Sequence, residues 1–427
     1  MGWVLVYTCL CWSIQTASCT LFQHLAMKTL SLPKGKSTTK TKAELKAEEV
    51  AENKRRRARK ELELFGPKHD RRPGALTANE TWWCQHYLWL KSQGYLLRPR
   101  YAPDWVPSWE GTDRNPFACE DGHCMRFGQI MDATRVFDGV YVSLKILEKS
   151  LHPHEVEIGQ RFMSEPLVSH PKNHCVPFFE VLSPPNDEDR QLIVMPLLLP
   201  FARPPFDTFG EVMECFRQLF EGLLFMHNNH VAHRDCMWMN IMMDAKDLYA
   251  EPYHPVVPRM KRDFSGHVRH YTRTQQPPKY YFIDFGLSRR YDPREATPLE
   301  YPIFGGDKSV PEFQNNADVP VNPFPTDVYY LGNVIREEFM DTKTGFDFLK
   351  PLVDDMVQND PNARPTMNVV VERFDLIRQQ LSSWKLRSRV IERDEDIFET
   401  LYRSATHWKR RIGFIVKRAP AVPRFQE

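Results

Sequence analysis

The sequence predicts an α+β fold, a small strand-rich part followed by a larger and mainly helical one. Three observations predict it. The stretch from Phe117 to Leu147 reads as short strands, and Gln191–Leu198 reads as a further buried strand. From Phe209 to Asn229, Val212, Met213, Phe216, Leu219, Phe220, Leu223 and Met226 recur at the 3.6-residue period of a core helix. At 427 residues with 42% apolar content, the chain can bury a large core.

The elements follow in order. Residues 1–27 open with a 13-residue apolar run, Gly2 to Ile14, followed by the small residues Ala17, Ser18 and Cys19. That run is too short to span a bilayer and close to a secretory h-region, although no Lys or Arg precedes it. A signal peptide and a true start at Met27 are the alternatives. Residues 28–72 carry 15 Lys and Arg against 7 Asp and Glu, with a charged helix expected from Ala43 to Leu64 and a basic run at 54–60. Residues 73–427 are therefore mildly acidic and predict no nucleic-acid partner. Residues 73–116 form an aromatic and Pro-rich extension, with an amphipathic helix expected from Thr81 to Arg100. A domain at 117–382 follows, interrupted at Lys246–Pro278 by a stretch with five Pro that reads as a loop insertion. Residues 383–427 read as a basic tail. The nine Cys are scattered, and no second close pair completes a zinc site, so idle thiols in a reducing compartment are expected.

The chemistry concentrates at His233-Arg234-Asp235-Cys236-Met237-Trp238-Met239-Asn240 and at Asp284-Phe285-Gly286. Asn240 and Asp284 offer the hard oxygens that Mg²⁺ prefers, and Asp235 suits the orienting of a hydroxyl. Val142-Ser143-Leu144-Lys145 lies upstream on a predicted strand, with Glu155 and Glu157 in the next helical pattern. Downstream stand Val310-Pro311-Glu312, then Asp327 in Asp-Val-Tyr-Tyr-Leu-Gly, and Arg364 in Asp-Pro-Asn-Ala-Arg-Pro-Thr.

In this order and spacing, the set resembles the protein kinase superfamily over residues 117–380. Met131–Arg135, Asn173–Pro177 and Gly306–Phe313 further resemble kinase-domain proteins of mushroom-forming fungi. The resemblance implies a bilobal fold, with a small β-rich N-lobe and a larger helical C-lobe, that binds ATP with Mg²⁺ and phosphorylates a protein hydroxyl. It implies Asp235 as the catalytic carboxylate and Lys145 on the phosphates with Glu155 behind it, Glu157 being the alternative. Asn240 and Asp284 are implied as the metal ligands, and Met195 and Leu198 as hinge residues beside the adenine. It further implies a Glu312–Arg364 ion pair, Asp327 as a support for the catalytic loop, and Arg234 as the partner of a phosphate on Ser288, Tyr291, Thr297, Tyr301 or Ser309.

Three departures set limits. Asp121–Gly128 lacks the closely spaced glycines of a phosphate-covering loop, Met237 stands where Ser/Thr kinases carry a Lys, and the Thr expected near Gly305 is absent. A pseudokinase scaffold and a small-molecule phosphotransferase are the alternatives. The expected location is cytosol or nucleus, or the secretory route if residues 1–19 act as a signal peptide. No stable membrane insertion is expected.

Overall fold

The computed structural model describes residues 55, 74–295, 297–303, 305–315 and 318–425. The apolar run of 1–27 and the charged helix of 43–64 lie outside the described residues, as does the basic run of 54–60 apart from Arg55. The architecture is mixed α+β.

Helices α1 (Ala78–Gln85) and α2 (Tyr87–Ser92) open the described chain. A Thr77/Glu80 capping box starts α1. Gly94, at a φ of +87°, turns the chain into strand β1 (Tyr95–Leu97). The single helix expected to Arg100 is thus cut short, and the sheet's first strand comes from the extension. Residues 117–129 form turns, and the strands expected from Phe117 begin at β2 (Ile130–Arg135) and β3 (Tyr141–Glu148). After α3 (Glu155–Phe162) come β4 (Glu180–Leu182) and β5 (Arg190–Pro196), which complete an antiparallel sheet in the order β1-β2-β3-β5-β4. Trp83, Leu90, Tyr95 and Tyr101 pack with Leu144 and Val194, so the extension supplies part of this sheet's core.

The main core surrounds α4 (Phe209–Asn228), which opens on a Thr208/Glu211 capping box. Strand β6 (Leu199–Pro200) pairs with β8 (Ile241–Met243), which pairs with β9 (Tyr280–Phe282), while β7 (Val231–Ala232) pairs with β10 (Arg289–Arg290). The remaining helices are α5 (Pro311–Asn315), α6 (Pro323–Ile335), α7 (Lys350–Met356), α8 (Met367–Gln380), α9 (Ser383–Leu386) and α10 (Ile397–Val416). The stretch expected as a tail thus carries a 20-residue helix.

The insertion between β8 and β9 is not a surface excursion. Leu248, Tyr253, His254 and Arg273 are buried in it. Arg273 donates to the Phe201 carbonyl (2.9 Å), Thr274 N–H donates to Glu211 on α4 (2.8 Å), and Tyr253 Oη donates to the Leu197 carbonyl (3.3 Å). Farther out, Arg262 Nη2 lies 2.6 Å from Asp132 Oδ2 on β2, while Arg98 Nε approaches Asp132 Oδ1 at 2.9 Å. Arg98 also reaches Glu120 (2.9 Å), which faces His254 (3.4 Å). Asp132 is completely buried. Burial alone would raise its carboxyl, but the two guanidiniums outweigh that and hold it below the usual carboxylate range. The sequence reads as a loop because its burial rests on hydrogen bonds, ion pairs and scattered apolar side chains such as Leu248 and Tyr253, which leave no apolar periodicity.

Candidate active site

Strand register and two turns bring together residues far apart in sequence. On β3, Lys145 faces Ile193 of β5, and Ser143 faces Met195. Directly opposed residues share a face, so Met195 lies on the Lys145 side of the sheet. Leu198 is buried two residues past the end of β5. Only six residues separate β3 from α3, so the helix is abbreviated to two turns and starts at Glu155. That start aims Glu155 back at the strand, where its Oε1 takes Lys145 Nζ in a buried ion pair. Glu157 faces His154 instead, at 3.7 Å.

Asp284 follows β9 with a φ of +65°, a left-handed conformation that costs a non-glycine residue energy. Its Oδ1 lies 3.0 Å from Lys145 Nζ, so one ammonium serves two carboxylates. Burial would lower the Lys145 ammonium, but Asp284 and Glu155 outweigh it and hold it up at about 12. Burial would likewise raise Asp284, and Lys145 holds it down. The second oxygen of Glu155 is buried without a partner, an orphan acceptor beside the ammonium.

The loop between β7 and β8 carries Asp235 and Asn240. Asn240 Nδ2 donates to Asp235 Oδ2 and to the Asp235 carbonyl, both at 2.9 Å. Gly306 N–H donates to Asp235 Oδ1 at 2.9 Å. Burial, reinforced by the charges of Asp284 and Asp307, pushes the Asp235 carboxyl up to about 7 against those hydrogen bonds. The loop itself hangs on Asp327 of α6, whose Oδ2 accepts from His233 N–H (2.7 Å) and whose Oδ1 accepts from Arg234 N–H (2.6 Å). Glu312 and Arg364 form a bidentate pair at 2.7 and 2.6 Å.

The structure gives a reason for two of the departures. A Cβ on Gly305 would strike Asp235 Oδ1 and the Tyr330 hydroxyl, and one on Gly306 would strike Met237 Sδ. Met237 is buried against that glycine. The hydrogen bond to Asp235 that a hydroxyl side chain could make is made by a backbone N–H. The 121–128 stretch is tied down as well. Asp121 accepts from Ser108 and Trp105, and the Gly128 carbonyl accepts from Trp83 at 2.8 Å.

Of the five hydroxyls named for Arg234, Ser288 and Tyr291 are buried, and Ser309 bonds to Tyr329 (3.0 Å through its carbonyl). Thr297 and Tyr301 are exposed. Arg234 itself donates to the Tyr301 carbonyl (2.9 Å) and has Glu300 at 3.7 Å, so a carboxylate already stands where a phosphate was expected. Sequence reasoning missed Gly306 and Tyr253. A glycine N–H leaves no signature, and Tyr253 lies in the stretch read as loop.

Among the described residues no group of three or more His, Cys, Asp or Glu could hold a metal ion, and no helix is long and apolar enough to cross a membrane. No protein-family model matches the chain. No curated protein matches it.

Proposed function

We propose that the chain is a protein kinase that transfers the γ-phosphate of ATP to a protein hydroxyl, of the Ser/Thr class. The observation that carries this reading is the Lys145–Glu155–Asp284 cluster beside the Asp235–Asn240 pair, assembled from residues up to 139 positions apart. The five-stranded sheet is read as the small lobe and the region around α4 as the large one. In this reading the cleft binds Mg²⁺·ATP, which supplies the phosphoryl group and the cationic charge that offsets the phosphates.

The donor set fits. The Asn240 amide nitrogen is committed to Asp235, which leaves its oxygen for a cation, and Asp284 is held ionised. Two protein oxygens with phosphate oxygens and water satisfy Mg²⁺, which needs no three-residue cage. Lys145 orients the phosphates and Glu155 holds Lys145. Asp235 accepts the hydroxyl proton, while Asn240 and Gly306 fix its carboxylate. Met195 and Leu198 border the adenine. Met237 donates nothing to a transferred phosphate, and a missing preorganised donor costs on the order of 10²–10³ in rate, so turnover is slow. The tethered 121–128 stretch and the buried Met237 favour a second reading, a nucleotide-binding pseudokinase. The location proposed is cytosol or nucleus.

The test pairs binding with chemistry. Purified chain is melted with and without millimolar Mg²⁺·ATP, and radiolabelled γ-phosphate transfer to a peptide pool is measured for wild type, Asp235→Asn and Asp284→Ala. The kinase reading expects a raised Tm and labelling that either substitution abolishes. A raised Tm with no labelling selects the pseudokinase. No shift in a cooperatively folded chain overturns both.

A further inference from the structure

Helix α10 sits on the protein the wrong way round. Its inward face is polar: His407 and Arg410 meet Asp207 at 3.2 and 2.7 Å, Arg403 meets Glu395 at 2.7 Å, and Arg411 covers the Trp384 ring. Its outward face is apolar. Phe398, Leu401, Trp408, Ile412 and Ile415 are between 47% and 85% exposed, and Ala405 is exposed among them.

These six residues are spaced 3, 4, 3, 4 and 3 apart, the a/d seam of a heptad repeat. Globular packing would have placed that seam inward. The ion pairs turn it out, and Trp384, also exposed and 5.9 Å from the Trp408 ring, widens it.

We propose that this seam pairs with the same helix of a second copy, antiparallel across a two-fold axis. The pattern is its own complement. An axis between Thr406 and His407 sets Phe398 against Ile415 of the partner subunit, Leu401 against Ile412 of the partner subunit, and small Ala405 against bulky Trp408 of the partner subunit. An isologous dimer requires such a self-matching patch. Charge agrees with that direction. The exposed acids Asp394, Asp396 and Glu399 stand at one end of the helix, and the exposed bases Lys409, Lys417 and Arg418 lie toward the other. Antiparallel copies set acids beside bases, whereas parallel copies set like charges together. An anionic lipid surface would attract the basic end and repel the acidic one. The helix's 20 residues give about 30 Å of contact.

The experiment is sedimentation equilibrium of the full chain from about 1 to 100 µM, with Leu401→Glu, Ile412→Lys and the double variant. Both positions are exposed in the single chain, so the fold does not depend on them; the melting transition at the lowest concentration checks this. Wild type is expected to dimerise. Each single substitution should weaken the dimer about 100-fold or more, because it faces an apolar partner. The double variant should recover dimerisation, because the antiparallel register sets each new acid against a new base. Three results overturn the proposal: a monomer at all concentrations, a double variant that stays monomeric, or a monomer that sediments with phosphatidylserine vesicles.

Discussion

Arg262→Ala tests whether the insertion is part of the core. The substitution removes a 2.6 Å contact to Asp132, a carboxylate with no exposure, and a stack over the Tyr141 ring at 4.2 Å. Asp132 keeps Arg98, so it is not left unpaired. The loss is that of one hydrogen bond to a buried charge, about 2 kcal/mol. Arg98→Ala goes further, because that side chain is itself buried and bridges Asp132 and Glu120; breaking such a pair costs about 3–5 kcal/mol. Urea unfolding followed by Trp fluorescence gives both values. Repeating Arg262→Ala in an Asp132→Asn background isolates the pair, with a coupling of about 1.5–3 kcal/mol expected. Deleting 246–278 should abolish cooperative unfolding altogether, since Arg273, Thr274 and Tyr253 leave with it. A coupling near zero, or a deletion variant that still unfolds cooperatively, would refute the reasoning.

Two further outcomes follow from burial. The His174 ring is almost fully buried, bonds the Tyr280 carbonyl at 2.8 Å, and is pushed down to about 3 by burial. The folded chain keeps it neutral where the unfolded chain would protonate it below about pH 6.5, so stability falls as pH drops through the window between about 6.5 and 3. At pH 5 this removes about 2 kcal/mol. His174→Asn, which retains a donor at the Nδ1 position, should lower stability at neutral pH and flatten the loss between pH 7 and 5 in urea titrations; an unchanged slope counts against it. Met237→Lys should lower Tm and leave phosphoryl transfer no faster, because the ammonium would replace a thioether buried against Gly306.

What the sequence made legible divides by range. Glu312–Arg364, the support of Asp327 and the Lys145–Glu155 pair could all be anticipated, because each residue stands in a short motif whose partner the family resemblance implies. The strand at Tyr95–Leu97 could not, because Gly94 breaks an aromatic helical pattern only by its left-handed turn. The insertion's burial rests on pairs such as Asp132–Arg262, which no local window contains. The α10 seam was present in the spacing from Phe398 to Ile415, but the run of bases within it read as a basic tail.

Synthesis order adds a consequence to the buried triad. Arg98 leaves the ribosome 34 residues before Asp132, while Arg262 lies 130 residues behind it. At about 5–20 residues per second, Asp132 waits about 6–26 s for that guanidinium, and the completed sheet about 3–13 s. All five strands of the sheet are already out by Pro196, yet one of them carries a carboxylate with half its counter-charge still untranslated. A codon-level slowing between 196 and 262 would lengthen that interval, during which a strand surface awaiting its cover is open to other nascent chains.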